Sequence, residues 1–218
     1  MIVEKIRQIK SELPEGVRLC AVSKYHPAEM ILEAYNGGQR IFGESHVQEL
    51  MKKYDVLPKD IEWHFIGHLQ TNKVKYIAPF IDLIHSVDSP RLLSEINRQG
   101  IRHDRKIPCL LQLHVAREET KFGFSIDELR DYLADGQWHD MSGVELQGIM
   151  CMATNTEDHN RILQDFHLAN EFYKYCSKSF GKQFRIRSWG MSGDYHLAIE
   201  EGSNLVRIGS MIFGDRVY

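Results

Sequence analysis

The sequence has few of the residues and runs that mark several protein classes. Only four of its 218 residues are cysteine, and none forms a Cys-x-x-Cys pair, so neither a disulfide framework nor a zinc knuckle is indicated. Cys20 and Cys109 stand in apolar runs, where cysteine serves as a small buried hydrophobic residue. No apolar run reaches the ~18 residues of a membrane span. Charges interrupt the N-terminal segment MIVEKIRQIK, which argues against a signal peptide, and we expect a cytoplasmic protein with no membrane partner.

An excess of one charge is also missing. Lysine and arginine total 27 residues against 30 for aspartate and glutamate, which gives a formal charge of −3. Proteins that bind nucleic-acid backbones usually cluster basic residues on one face, so we expect no nucleic-acid partner. With 43% hydrophobic and 26% charged residues, the composition is that of an ordinary globular protein, and the length suits one domain over residues 1–218.

Motifs for several common types of site are absent or incomplete. The sequence contains neither G-x-G-x-x-G nor G-x-x-x-x-G-K-[ST], the motifs of dinucleotide and nucleoside triphosphate sites. Residues 190–193 begin like the nucleophile elbow of a serine hydrolase, but Asp194 replaces its last glycine. His64 and His68 have the spacing of two zinc ligands on a helix, yet they straddle a predicted strand end and a glycine. We therefore expect no metal site.

Apolar runs typical of strands alternate with helical patterns along the chain. The eight runs are residues 19–22, 41–42, 65–66, 81–84, 107–113, 144–150, 184–186 and 205–208. A strand that is followed by a crossover helix returns in the same direction, so this alternation predicts a parallel α/β sheet. Eight repeats of nearly continuous apolar strands favour a single (β/α)8 TIM barrel over an open, doubly wound sheet.

Helix signals lie between these runs and ahead of the first. Apolar residues recur at helical spacing from Ile2 to Ile9, which predicts an additional N-terminal helix that ends before Pro14. Three pairs are typical of helix N-termini: Ser89-Pro90, Ser125-x-x-Glu128 and Thr154-x-x-Glu157.

Lys24 follows the first predicted strand directly. In a barrel of this type, side chains at the C-terminal ends of the strands face the site. Desolvation in an apolar barrel mouth disfavours the ammonium form, and the neutral amine can then attack a carbonyl to form a Schiff base. A lysine that extends from the barrel rim into solvent would have the same spacing, so both interpretations stay open at this point.

One short glycine-containing segment follows the seventh predicted strand, and another begins at the end of the eighth. They are WGMSGD at 189–194 and RIGS at 207–210. Backbone N–H groups in such turns, together with the Ser192 hydroxyl, can bind an anion, and barrels often hold phosphate in these two loops. Glycines that only make tight turns are the alternative. A reactive lysine across the barrel from a phosphate site points to an aldehyde that carries a phosphate, and pyridoxal 5'-phosphate (PLP) is the common cofactor of that description.

Five longer motifs carry a more specific resemblance. They are AVSKYHP (21–27), FGESHVQE (42–49), WHFIGHLQTNK (63–73), KFGF (121–124) and GMSGDYHLAIEEGSNLVRIGSMIFGDR (190–216). With their spacing, these motifs resemble the pyridoxal phosphate homeostasis protein family over nearly the whole chain. Members of that family are single-domain relatives of the N-terminal barrel of alanine racemase, which implies the same barrel here.

The resemblance implies a role for each of five residues. Lys24 would form the Schiff base with PLP, while Ser192 and the backbone around Met191 and Gly209 would hold its phosphate. Arg207 would approach the pyridine nitrogen. Because an arginine is always charged and can only donate hydrogen bonds, it would keep that nitrogen unprotonated and weaken PLP as an electron sink. The alternative for Arg207 is an ion pair at the barrel rim with an acidic neighbour.

Ser45 departs from the family pattern. Family members usually have asparagine at this position, in GEN where this chain has GES. The resemblance places the residue among the cofactor ligands. Since serine is shorter than asparagine, we expect it to reach the cofactor through a water molecule.

A PLP protein of this size is either a carrier or an enzyme. Amino-acid racemisation needs an acid/base group on each face of the cofactor, and Lys24 supplies only one. In alanine racemase an additional domain and a partner subunit deliver a tyrosine as the second group, whereas this chain ends at Tyr218. We therefore expect a protein that buffers PLP or delivers it to apo PLP-dependent enzymes, with little or no catalysis. Because barrel packing accounts for the apolar faces of the helices, we also expect a monomer. The alternative is a PLP-dependent racemase or related enzyme with His64 or Tyr25 as second base.

Overall fold

Eight short parallel strands form a closed barrel in chain order. The structure is a computed structural model and describes residues 1–118 and 120–214. The strands are β1 (Arg18–Val22), β2 (Ile41–Glu44), β3 (Glu62–Phe65), β4 (Leu83–Val87), β5 (Ile107–His114), β6 (Val144–Met152), β7 (Ile186–Ser188) and β8 (Leu205–Ile208). Each strand pairs with the next, and β8 closes the barrel on β1 with Arg207 opposite Cys20. The predicted (β/α)8 TIM barrel is confirmed.

Helices connect the strands and cover the outside of the barrel. They are α1 (Ile2–Glu12), α2 (Ala28–Asn36), α3 (Val47–Val56), α4 (Val74–Ile77), α5 (Pro90–Arg102), α6 (Ile126–Asp135), α7 (His159–Phe180), α8 (Tyr195–Glu200) and α9 (Ser210–Phe213). The additional N-terminal helix is confirmed as α1, which buries Ile2, Ile6 and Ile9. Among the helices that the structure describes, even the 22-residue α7 lacks the apolar character of a membrane span.

Two of the three predicted helix starts are confirmed. The Ser89 side chain accepts a hydrogen bond from the Leu92 N–H at the start of α5, and Pro90 is the first residue of that helix. Ser125 and Glu128 form a reciprocal capping box at the start of α6. Such caps satisfy N–H groups that have no partner within the helix.

The third predicted helix start, at Thr154, is wrong. Helix α7 begins at His159, and the Asp158 side chain caps it. Thr154 has a different partner, because its backbone N–H and its hydroxyl both donate to Asp165 Oδ2, at 2.8 and 2.6 Å. The loop after β6 is thus fixed to the side of α7 rather than to its first turn.

The fourth and seventh strands begin two residues later than the apolar runs predicted. β4 covers Leu83–Val87 rather than 81–84, and β7 covers Ile186–Ser188 rather than 184–186. The added residues include His85 and Ser188, which are polar but fully buried. A hydrogen bond between the two side chains, and further bonds to their neighbours described below, make that burial possible.

The inside of the barrel changes from apolar to polar along the strands. Seven residues form the apolar layer: Cys20, Ile41, Leu83, Leu110, Met150, Ile186 and Leu205. Two positions further along their strands stand His85, Ser188 and Arg207. Inward side chains recur every second residue of a strand, so this polar layer lies above the apolar one, toward the C-terminal ends of the strands where barrel sites form.

Candidate functional site

A cavity of about 540 Å³ lies at the C-terminal ends of the barrel strands. Five of the six residues singled out by the sequence line it. They are Lys24 from the loop after β1, Met191 and Ser192 from the loop after β7, Arg207 from β8, and Gly209 directly after β8. Residues from opposite ends of the chain thus meet because β8 pairs with β1.

Ser45 is the sixth, and it is not among the described residues that line this cavity. It lies in the loop after β2, packed against the turn after β3. A Cβ atom added at Gly67 would stand 2.7 Å from Ser45 Cβ, so only glycine allows the two loops to approach so closely. The role of Ser45 as a cofactor ligand remains a prediction.

Buried charges fix the residue before Lys24. Glu44, at the end of β2, is fully buried and accepts hydrogen bonds from the Ser23 hydroxyl (2.6 Å) and from Lys53 Nζ (2.7 Å). Lys53 of α3 is only 6% exposed and also donates to the Ser23 carbonyl at 2.8 Å. Burial raises the pKa of the Glu44 carboxyl to about 7, although Lys53 and Ser23 act in the opposite direction. Charges at this depth require such partners.

The residue after Lys24 is fixed by the same network. Glu49 of α3 binds Lys53 Nζ at 2.7 Å and accepts a hydrogen bond from the Tyr25 N–H at 2.7 Å. Tyr25 adopts φ = 66°, a left-handed conformation that costs a non-glycine residue roughly 1–2 kcal/mol. The Tyr25 ring packs on His46, which precedes α3. These contacts hold a strained residue in place beside Lys24.

Arg207 is supported by neutral groups. Its side chain points into the barrel, and the residue is only 4% exposed. Nη1 donates to the Ser188 carbonyl and hydroxyl, each at 2.7 Å, and Nη2 donates to the Cys151 carbonyl at 3.0 Å. Burial lowers the pKa of the guanidinium group. These partners replace the rim ion pair that the sequence left open for Arg207.

Two histidines continue the hydrogen bonds beneath Arg207. His85 Nδ1 lies 2.9 Å from Ser188 Oγ, and His85 Nε2 lies 2.9 Å from His64 Nδ1. Burial lowers the pKa of His64 to about 3 and that of His85 well below its usual range. Both rings are therefore neutral near pH 7. Each carries one N–H proton, and the hydrogen-bond partners determine which ring nitrogen holds it.

The loop after β7 folds back toward the start of α9. The Met191 N–H donates to Asp194 Oδ1 at 2.6 Å, and Gly190 has φ = +95°, with its Cα too close to α8 for a side chain. Ser192 in this loop accepts a hydrogen bond at Oγ from the Gly209 N–H, with the N and O atoms 3.4 Å apart. Ser192 and Gly209, two of the predicted phosphate ligands, therefore converge, whereas the Met191 N–H is taken by Asp194.

Several lining residues were not singled out in the sequence. They are Val22, His26, Ile66, Gly193, Ser210 and Gly214. His26 belongs to the motif around Lys24 and stacks on Phe213 with ring centroids 5.1 Å apart. Its position in that motif was the available signal. Asp215 and Arg216, which end the last motif, lie outside the described residues, as does Tyr218.

His64 and His68 do not converge. His64 is a buried strand residue bound to His85, whereas His68 lies near the surface with Nδ1 2.8 Å from Asp88 and its ring stacked on Phe122. Across residues 1–118 and 120–214, no three histidine, cysteine, aspartate or glutamate side chains are placed to hold a metal ion.

Comparisons with known proteins decide the family. The family model described as alanine racemase, N-terminal domain, matches residues 1–217. The pyridoxal phosphate homeostasis protein of Aquifex aeolicus (strain VF5) is 35% identical, with 100% of this chain and 96% of that protein covered. The protein of the same name from Schizosaccharomyces pombe is 37% identical over 92% of this chain and 85% of its own length. The chain belongs to the pyridoxal phosphate homeostasis protein family.

A solved structure of similar identity has the same fold. PipY of Synechococcus elongatus PCC7942, whose structure has PLP bound, superimposes with a TM-score of 0.88 at 35% identity. The match covers 98% of this chain and 100% of PipY. The family predicted from the five motifs is thus confirmed.

Proposed function

We propose that this protein binds PLP in the cavity, covalently through Lys24, and that it serves PLP homeostasis by buffering or delivering the cofactor. The observation that carries the proposal is the convergence of Lys24, Arg207 and Ser192, from the loop after β1, from β8 and from the loop after β7, on one cavity. Membership of the family and the PLP bound to PipY support the same function.

The residues of the cavity fit a phosphorylated aldehyde. PLP supplies an aldehyde that condenses with a primary amine, and a phosphate that N–H and O–H donors can bind. The lining has two basic side chains, Lys24 and Arg207, and its described residues include no carboxylate, so the charge suits an anion. Ser192 and Gly209 add a hydroxyl and a backbone amide 3.4 Å apart.

Arg207 favours a carrier over a catalyst. Its contacts with Ser188 and Cys151 use only part of the five N–H donors of a guanidinium group. The remaining donors can face a ring nitrogen in the cavity, and a donor there keeps that nitrogen unprotonated. An unprotonated ring withdraws electrons poorly, which disfavours reactions at the Cα of an amino acid.

The racemase alternative finds no support in the two second bases considered. Neither His64 nor Tyr25 is among the described residues that line the cavity. His64 is also bound to His85 and has a pKa of about 3, which makes it a weak base near pH 7.

A reduction experiment tests the covalent attachment. The PLP-loaded protein should absorb in the visible range, and borohydride should fix the cofactor to the peptide that contains Lys24. Lys24→Ala should abolish that adduct, whereas the exposed Lys52→Ala should retain it in full. A stable adduct of unchanged yield in Lys24→Ala would reject the proposal.

A second experiment separates carrier from enzyme. The PLP-loaded protein is incubated with L-alanine and other L-amino acids in D₂O, and deuterium at Cα and the D-isomers are followed. We expect no turnover at an enzymatic rate. Turnover of about 1 s⁻¹ or more, within the range of ordinary enzymes, would overturn the carrier function.

The recipients and the assembly state belong to the same proposal. We propose that a cytoplasmic monomer passes PLP to apo PLP-dependent enzymes. The loaded protein should restore the activity of an apo-enzyme even when a trap removes free PLP, and sedimentation should give a mass near 25.4 kDa. If the trap abolishes the recovery of apo-enzyme activity, the protein buffers PLP but does not pass it directly to enzymes.

A further inference from the structure

The charged network beside Lys24 contacts its neighbours rather than the cavity. Ser23 is held by Glu44 at its hydroxyl (2.6 Å) and by Lys53 at its carbonyl (2.8 Å). Tyr25 is held by Glu49 at its N–H (2.7 Å). The peptide groups on both sides of Lys24, the residue that carries the amine, are thus fixed.

A second buried ion pair provides the comparison. On the far side of the barrel, Asp165 of α7 is 1% exposed, pairs with Arg161 at 2.5 Å, and accepts two hydrogen bonds from Thr154 in the loop after β6. That pair also fixes a barrel loop to a helix, but Thr154 is not among the described residues that line the cavity. The fold therefore uses buried carboxylates as loop anchors elsewhere, and the network beside Lys24 differs in what it anchors.

The network also holds backbone that would otherwise relax. Tyr25 has φ = 66° and is not a glycine, and such conformations persist only where surrounding contacts enforce them. Glu49 binds the N–H of this residue and, through Lys53, is joined to Glu44 at the end of β2. The conformation of the loop is therefore tied to the barrel wall.

We propose that Glu44, Lys53 and Glu49 are positioning residues for Lys24: by fixing Ser23 and Tyr25, they hold its amine where a bound aldehyde meets it. This inference rests on the proposed function and deepens it. In the condensation, Lys24 Nζ forms a double bond to the aldehyde carbon, and the aldehyde oxygen leaves as water with the two protons of the neutral amine. Only this step depends on where the amine stands, since the phosphate is bound by the loops after β7 and β8.

Two ligands separate positioning from general loosening of the structure. PLP can condense with Lys24, whereas pyridoxine 5'-phosphate has the same ring and phosphate but an alcohol in place of the aldehyde. A variant that misplaces the amine should lower the rate and yield of borohydride-fixed adduct and leave the affinity for pyridoxine 5'-phosphate unchanged. A variant that disturbs the whole site should weaken both.

The test variant is Glu49→Ala, because Glu49 is the most exposed member of the network. We expect adduct formation to slow by about 10- to 100-fold, the effect of a displacement on the order of 1 Å, with less than about twofold change in the affinity for pyridoxine 5'-phosphate. Glu49→Gln, which keeps an oxygen acceptor for the Tyr25 N–H, should recover most of the rate. The double variant Glu44→Gln/Lys53→Met removes both buried charges together and should resemble Glu49→Ala.

Asp165→Asn is the matched control and should form the adduct at the wild-type rate. Adduct formation in Glu49→Ala and in the double variant at the wild-type rate would overturn the inference, as would an equal loss of affinity for both ligands. Failure of the proposed function gives a different result, since the wild-type protein itself would then form no adduct at Lys24.

Discussion

The two walls of the cavity are built in different ways. On one side, which we call the amine wall (residues 22–26), titratable side chains of β2 and α3 bind Ser23 and Tyr25, the two neighbours of Lys24. On the other side, which we call the phosphate wall (residues 190–194 and 207–210) after its proposed role, the residues that line the cavity are Met191, Ser192, Gly193, Arg207, Gly209 and Ser210. Arg207 itself donates to two carbonyls and a hydroxyl. Two neutral histidines continue the hydrogen bonds from that hydroxyl.

The difference follows from the roles that we propose for the two walls. An anion can be bound by N–H and O–H donors that the turns of the chain already supply. An amine that forms a covalent bond must stand at one distance and angle, and a flexible four-carbon side chain does not provide that alone. The buried charges of the amine wall are costly to the fold, but they restrain the backbone on both sides of the lysine.

The largest effect should come from removing the cation of the amine wall. Lys53→Met leaves Glu44 buried without its partner, and breaking such a pair usually costs about 3–5 kcal/mol of unfolding free energy. Urea unfolding at pH 8.5, above the Glu44 pKa of about 7, should detect this loss, and adding Glu44→Gln should recover most of it. Exposed Lys52→Met should change stability by less than about 0.5 kcal/mol. If Lys53→Met loses less than about 1 kcal/mol of unfolding free energy, the claim that the amine wall depends on a buried ion pair is wrong.

The neutral histidines beneath the phosphate wall should make the protein sensitive to acid. The pKa of His64 is lowered to about 3 in the folded protein from 6.5, so its contribution is complete above pH 6.5 and is lost as the pH falls toward 3. Each such histidine should reduce stability by up to about 1.4 kcal/mol per pH unit in that window. His64→Gln keeps a hydrogen-bonding side chain and removes the titration.

The measurement is urea unfolding of the apo-protein at several pH values between 7.5 and 4.5. As the pH falls, the free energy of unfolding of the wild type should decrease more steeply than that of His64→Gln. The difference between the two slopes should correspond to the uptake of about one proton on unfolding. Equal slopes in the two proteins would show that His64 is protonated in the fold or exposed there.

A smaller effect should follow from removing the hydroxyl of the phosphate wall. Ser192→Ala deletes one donor to an anion, a hydrogen bond of about 1.5–3 kcal/mol, so the dissociation constant of pyridoxine 5'-phosphate should rise about 10- to 150-fold. Calorimetric titration measures this directly. Ser179→Ala, at an exposed position of α7, is the control. Unchanged affinity in Ser192→Ala would remove Ser192 from the phosphate site.

The smallest effect should come from restoring the residue usual in the family at position 45. Ser45 is not among the described residues that line the cavity, and a water-mediated contact is nearly as favourable as a direct one. Ser45→Asn should therefore tighten PLP binding by no more than about threefold. A gain of 10-fold or more would place this side chain at the cofactor.

Much of the fold could be predicted because its signals are local. Strand and helix alternation gives a parallel barrel, and the pairing of β8 with β1 then brings Lys24 and Arg207 together. The motifs around both residues are also contiguous in sequence. The organisation as one domain over residues 1–218 stays a prediction.

The supporting residues could not be predicted in the same way. Lys53 occupies the buried face of α3 with Val47 and Leu50, but a charged residue gives no sign of burial until its partners are known. His85 and Ser188 lie beyond the apolar runs from which β4 and β7 were predicted, since their strands continue as polar residues. In each case the burial depends on contacts between distant parts of the chain, which periodicity does not record.

Diffraction from crystals of the protein with PLP tests the central claim most directly. We predict continuous density from Lys24 Nζ to the cofactor, with the phosphate against Ser192 and Gly209 and the ring nitrogen facing Arg207. Density that joins PLP to another side chain, or a cofactor bound outside this cavity, would contradict the account.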